Sequence, residues 1–84
     1  MVIRKTDDFL QDVERLPAGI PELLQKQEAI FRGNWLDPRL HTKRMRELSG
    51  VYSFRITRRY RTLFYWKAEE AVFFSMGHRK DVYR

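Results

Sequence analysis

Eighty-four residues without a cysteine make one domain, 1–84, with a small core, because a chain this short buries only about 60% of the surface it exposes when unfolded. This composition excludes disulfide staples and thiolate metal sites. Two histidines are a poor zinc set, and no run of about 18 apolar residues is present to span a membrane. The formal charge of +6 is divided unevenly: residues 1–40 carry six Lys/Arg against seven Asp/Glu, a net of −1, and residues 41–84 carry eleven against four, a net of +7.

An excess of this kind concentrates polyanions near the surface and drives non-specific nucleic-acid binding through counterion release. Nucleic acid is therefore the leading partner class. A solvated basic face, anionic lipid or an acidic protein partner are the plainer readings of the same charge. The start of the chain has no long apolar segment of the secretory kind, and with the lack of cysteine this predicts a cytoplasmic protein.

In chain order, residues 2–5 suit a short opening strand. Thr6 then offers a hydroxyl N-cap, with Asp7 and Asp8 in the first turn of a helix. Phe9, Val13 and Leu16 recur at helical spacing before Pro17 and Gly19 stop it. Pro21 opens a second helix with Leu23, Leu24, Ile30 and Phe31 on one face, and Gly33-Asn34 suits a left-handed exit. The two helices are expected to form a hairpin. Residues 35–50 read as an irregular approach, with a turn at Asp37-Pro38 and a basic stretch at 41–46. Strands at 51–56, 60–66 and 71–76 then form an antiparallel meander, the last two joined by Lys67-Ala68-Glu69-Glu70, a link of hairpin length without the usual turn residues. Tyr52, Phe54 and Ile56 face one way and Val51, Ser53 and Arg55 the other. The expected fold is α+β, an N-terminal strand and helical hairpin packed on a small antiparallel four-stranded sheet, with the arginines on the opposite face.

Three groups of residues carry possible chemistry: the stretch containing Lys43, Arg44 and Arg46, the arginines 55, 58, 59 and 61, and the tail Gly77-His78-Arg79-Lys80-Asp81-Val82-Tyr83-Arg84. Arg58 and Arg59 fit a solvated bend. Arg61 lies inside an apolar strand, where a guanidinium is costly unless it meets a carboxylate, a phosphate or open solvent, so an anion site is expected there. Tyr60, Tyr65 and Trp66 fit sheet packing better than base stacking; Tyr83, past the last strand, is the exception. His78 has the side chain that titrates near neutrality, but with neither a second well-placed histidine nor a carboxylate pair a two-histidine nuclease is not supported. A nuclease built from these residues would rely on cations to position and stabilise the phosphate, with no metal and no cofactor.

The order of elements, together with Leu48-Ser49-Gly50-Val51-Tyr52-Ser53-Phe54, Tyr60-Arg61-Thr62-Leu63-Phe64 and the ending Gly77-His78-Arg79-Lys80-Asp81-Val82-Tyr83, resembles RelE/ParE-type toxins of toxin–antitoxin modules over nearly the whole chain. The RelE branch cleaves messenger RNA in the ribosomal decoding site by attack of a ribose 2′-hydroxyl on the adjacent phosphate. The resemblance implies this endoribonuclease activity here. It assigns catalytic positions to Arg61, Arg79 and Tyr83 and places Lys43, Arg44 and Arg46 where relatives carry basic or acid–base residues; with Arg55, His78 and Lys80 these are the expected RNA contacts. It also implies a cognate antitoxin, with the ribosome and mRNA as further partners. A ParE-like gyrase poison, and a non-catalytic module that binds RNA or protein, are the alternatives.

Overall fold

The computed structural model describes residues 1–82, so Tyr83 and Arg84 lie outside the described residues. The chain runs β1 (Val2–Lys5), α1 (Asp7–Glu14), α2 (Ile20–Gly33), a 3-10 turn (Pro38–Leu40), β2 (Lys43–Arg44), β3 (Val51–Arg55), β4 (Tyr60–Lys67), β5 (Glu70–His78) and α3 (Arg79–Val82). No helix among the described residues is long and apolar enough to cross a membrane.

Local chemistry sets the helix boundaries. The Thr6 hydroxyl accepts from the Phe9 backbone N–H at 3.2 Å, capping α1 above its two first-turn aspartates. Gly19, at φ 89°, supplies the left-handed residue that lets α2 start with Pro21 in its first turn. The exit of α2 differs from expectation. Asn34 is extended, at φ −163°, and its side-chain oxygen accepts from Leu36 N–H at 3.0 Å, so an Asx-type turn replaces the left-handed cap. At the 3-10 turn Asp37 accepts from the Arg39 backbone N–H at 2.9 Å, and the hydrogen bond from the Arg39 side chain holds this exposed carboxyl below its ordinary range.

The sheet corrects the sequence expectation in two respects. It has five strands in the order β1-β5-β4-β3-β2, and it is mixed rather than antiparallel. β1 lies parallel to β5, with Ile3 opposite Ala71 and Lys5 opposite Phe73. Parallel pairing is possible because β1 is joined to the rest of the sheet through a helical layer and not by a hairpin. The same geometry lets α1 lie against β5, where the Asp12 carboxylate accepts from Met76 N–H at 3.0 Å. The fifth strand, Lys43–Arg44, was hidden in the basic stretch. Two residues carry no alternation to read, and only the pairing of Lys43 with Ser53 and Arg44 with Tyr52 defines them.

The helices cover one face. Phe31 stands at the centre of the core, its ring 5.1 Å from Phe54, 5.0 Å from Phe64 and 5.2 Å from Phe73. Phe9 of α1 meets Phe73 edge-on at 5.6 Å. Leu24, Leu40, Ile56, Ala71 and Met76 join the buried cluster, while Leu23 is exposed, so the apolar stripe of α2 is narrower than the sequence suggests. Tyr60 and Trp66 pack against this core as expected.

The β4–β5 hairpin turns on Ala68 and Glu69, both left-handed at φ 49° and 66°. This is the type I′ pattern that favours Asn-Gly, and each non-glycine residue pays roughly 1–2 kcal/mol for it. The double substitution Ala68→Asn and Glu69→Gly is expected to stabilise the domain by about 1 kcal/mol, a rise of roughly 4–8 °C in Tm. An unchanged or lower melting temperature would show that the turn is not strained.

Candidate functional site

On an antiparallel ladder, residues directly opposite each other share a face. The pairings Lys43 with Ser53 and Arg55 with Arg61 therefore bring three cations to the face away from the helices. Arg61 is in turn opposite Gly77 on β5, which adds no side chain to that row. Two arginines directly opposed on neighbouring strands repel. Such an arrangement sacrifices stability unless an anion is shared between them.

The surroundings fix Arg61 as well as burying it. Only 6% of Arg61 is exposed; its Nε donates to Ser53 Oγ at 3.0 Å and its Nη2 to the His41 carbonyl at 2.7 Å. His41 is left-handed, at φ 47°, where it ends the 3-10 turn and aims its carbonyl at the arginine. Arg55 is half-buried, and its Nε is buried without a hydrogen-bond partner among the described residues. A buried guanidinium N–H lacking an acceptor is costly, and a ligand oxygen would satisfy it.

These groups open into a cleft of about 290 Å³ lined by Lys43, Arg55, Arg58, Arg61 and Arg79. Among the described residues, five cations and no carboxylate line it. The β3–β4 bend supplies Arg58; there Thr57 Oγ1 accepts from the backbone N–H groups of Arg59 and Tyr60 at 3.1 and 3.2 Å. Arg79 opens α3, and its backbone N–H donates to the Arg59 carbonyl at 2.6 Å, tying the C-terminal segment to the bend.

Of the residues named from sequence, Lys43, Arg55, Arg61 and Arg79 share this cleft. Arg44 alternates to the other face, its guanidinium 5.9 Å from the Tyr52 ring, and Arg46 lies with it in another surface depression that Lys43 also borders. His78 and Lys80 line a neighbouring cleft with Arg58, Arg59 and Arg79. The Nδ1 of His78 accepts from Lys80 N–H at 3.2 Å, which leaves Nε2 as the ring's donor. Tyr83 lies outside the described residues. No group of three or more histidine or carboxylate side chains suited to a metal occurs among the described residues.

Sequence reasoning missed three contributors. The sequence pattern fits Arg58 to a solvated bend, but its position midway between the paired Arg55 and Arg61 brings it into the lining of their cleft. Ser53 was assigned to the right face without a role. Gln27 was not singled out at all. Its buried amide in α2 donates at once to the carbonyls of Arg39 and Arg55, at 3.1 and 2.8 Å, joining the segment that presents the His41 carbonyl to the strand end that carries Arg55. A polar residue in the middle of an apolar helix face was the only signal. Gln27→Leu leaves both carbonyls unpaired and should cost roughly 1–3 kcal/mol in urea unfolding. An unchanged midpoint would remove Gln27 from this account.

No protein-family model matches this sequence, and no curated protein matches it significantly. Solved structures match over almost the whole chain. A chain of the RelB-RelE antitoxin-toxin complex from Methanococcus jannaschii superposes with a TM-score of 0.77 at 21% identity, covering 95% of this chain and 94% of that one. YafQ from E. coli superposes with a TM-score of 0.77 at 12% identity, covering 98% and 97%. The YoeB/ParE toxin from Agrobacterium tumefaciens gives 0.76 at 15% identity, covering 94% and 99%. The molecule is thus a small α+β domain with a cationic sheet face. Its fold is the one shared by these RelE, YafQ and YoeB/ParE structures.

Proposed function

We propose that this protein is the toxin of a toxin–antitoxin module and a ribosome-dependent endoribonuclease that cleaves mRNA without a metal. The observation that carries this reading is the cleft in which Arg61 is held by Ser53 and His41 beside Lys43, Arg55, Arg58 and Arg79. Such a site suits a reaction in which charge develops on phosphate oxygens. Pre-positioned donors in a partly desolvated cleft stabilise that charge far better than water does.

In this reading the ribose 2′-oxygen attacks the adjacent phosphorus. The 2′-O–P bond forms, the P–O5′ bond breaks, and the products are a 2′,3′-cyclic phosphate and a 5′-hydroxyl. Arg61 and Arg55 take the non-bridging oxygens, and Arg79, the exposed cation at the cleft margin, approaches the leaving oxygen. Tyr83, by its resemblance to the family tyrosine, orients the substrate or moves the proton from 2′-oxygen to 5′-oxygen. Lys43 adds charge at the opposite wall, and Arg44 and Arg46 extend the basic surface toward the ribosome. The cognate antitoxin is an acidic segment that covers this face in the cytoplasm; complexes of the same fold with RelB and with DinJ support a partner of that kind.

The test is to add purified protein to a translating extract and map message ends by primer extension. Cuts in register with codons are expected. Intact messages accompanied by trapped gyrase–DNA breaks would replace this reading with gyrase poisoning. Intact messages and intact DNA would leave a binding module.

A further inference from the structure

The cationic cleft does not stand alone. Arg58 and Arg79 also line a second, larger cleft of about 530 Å³, together with Arg59, His78 and Lys80. We propose that this second cleft is a subsite for the neighbouring phosphate of the same RNA strand, so that the smallest ligand filling the whole site carries two successive phosphodiesters. This rests on the reading of the first cleft as the seat of the scissile phosphate.

Three observations support it. Among the described residues, the lining of the second cleft is four cationic side chains and one histidine, with no carboxylate. Asp81, the carboxylate nearest in sequence, lines a different cavity together with Asp12 and Arg15, and that cavity shares only His78 with this cleft. The cleft is also built rather than incidental. The bend that carries Arg58 and Arg59 is fixed by Thr57, and the Arg79 N–H to Arg59 carbonyl bond locks the two segments together. His78 is oriented by its bond to Lys80 N–H and by the Tyr60 ring at 5.6 Å, which leaves its Nε2–H as a donor. Finally, a single strand presents one phosphate per nucleotide. The next phosphate of a strand seated on Arg61 lies one nucleotide along, and two of the cations that border the first cleft, Arg58 and Arg79, also line the second.

The experiment titrates the protein, followed by its amide NMR spectrum, with two non-cleavable 2′-O-methyl ligands: a dinucleotide with one phosphodiester and a trinucleotide with two. The wild type is expected to bind the trinucleotide about tenfold more tightly, as one added set of charge-assisted contacts provides. The salt dependence of its binding should be steeper by about 0.7 in log K against log salt, the increment for one more single-strand phosphate. In the double variant Arg59→Ala, Lys80→Ala, with a spectrum as dispersed as the wild type, both differences should vanish. Their survival in that variant, or their absence from the wild type, overturns the proposal. Arg61→Met separates the two ideas, since it should weaken both ligands. If it weakens neither while the double variant still removes the trinucleotide advantage, the second subsite stands and the assignment of the first cleft falls.

Discussion

Arg61→Met is expected to lower message cleavage about 100- to 1,000-fold while leaving a folded domain. Removing one pre-positioned donor from a charge-stabilising site costs rates of this order. Here the donor is fixed from two sides by Ser53 and His41 where it lines the cleft, so its position is set before a substrate arrives. Arg61→Lys should fare little better. It keeps the charge but loses the planar fork that reaches Ser53 and His41 while still presenting an edge to the cleft. The fold should survive because the substitution has offsetting effects. Ser53 and the His41 carbonyl lose a donor, but an arginine directly opposite Arg55 is also removed, and apolar replacements of buried charges are often tolerated. Growth arrest on expression should disappear, and the far-ultraviolet circular dichroism should match the wild type. Cleavage within about threefold of wild type would show that Arg61 serves the sheet alone.

The largest loss of stability should come from Phe31→Ala. Its ring is fully buried and touches Phe54, Phe64, Phe73 and Trp66, so it joins α2 to three strands. Truncating a buried phenylalanine costs about 3–5 kcal/mol, against a total of about 4–13 kcal/mol for a domain of this length. The variant should be mostly unfolded well below the wild-type melting temperature. A partner that binds only the folded form should restore part of the loss by mass action. Leu10→Ala, at a half-exposed position of α1, is the control and should fall within about 0.5 kcal/mol of wild type in the same urea titration. A cost below about 1 kcal/mol for Phe31→Ala would mean that the core is not organised around this ring.

The parts of the fold that were readable are those governed by local chemistry. Thr6 caps α1, Pro21 opens α2, and the alternation of Tyr52 and Phe54, continued by Ile56 just past the strand, identifies the core face of β3. The parts that were not readable depend on pairing partners far apart in the chain. Nothing in Val2–Lys5 says that it runs parallel to β5, and nothing in Lys43–Arg44 marks a strand until Ser53 and Tyr52 are placed beside it. The site divides in the same way. Arg61 betrayed itself as a charge in an apolar strand, whereas Arg58 and Gln27 acquire roles only through the β3–β4 register and the packing of α2 against the strand ends. The basic stretch shows both sides at once, because strand alternation sends Lys43 into the cleft and Arg44 away from it.

The most direct test of the proposed chemistry removes one oxygen from the substrate. A message whose cut position has been mapped in the translating extract is resynthesised with a single 2′-deoxynucleotide 5′ to the scissile phosphate. With the attacking 2′-oxygen gone, cleavage should vanish at that position and persist at the others, where the fragments end in 2′,3′-cyclic phosphates. Continued cutting at the deoxy position would contradict attack by the 2′-hydroxyl and require an external nucleophile in the cationic cleft.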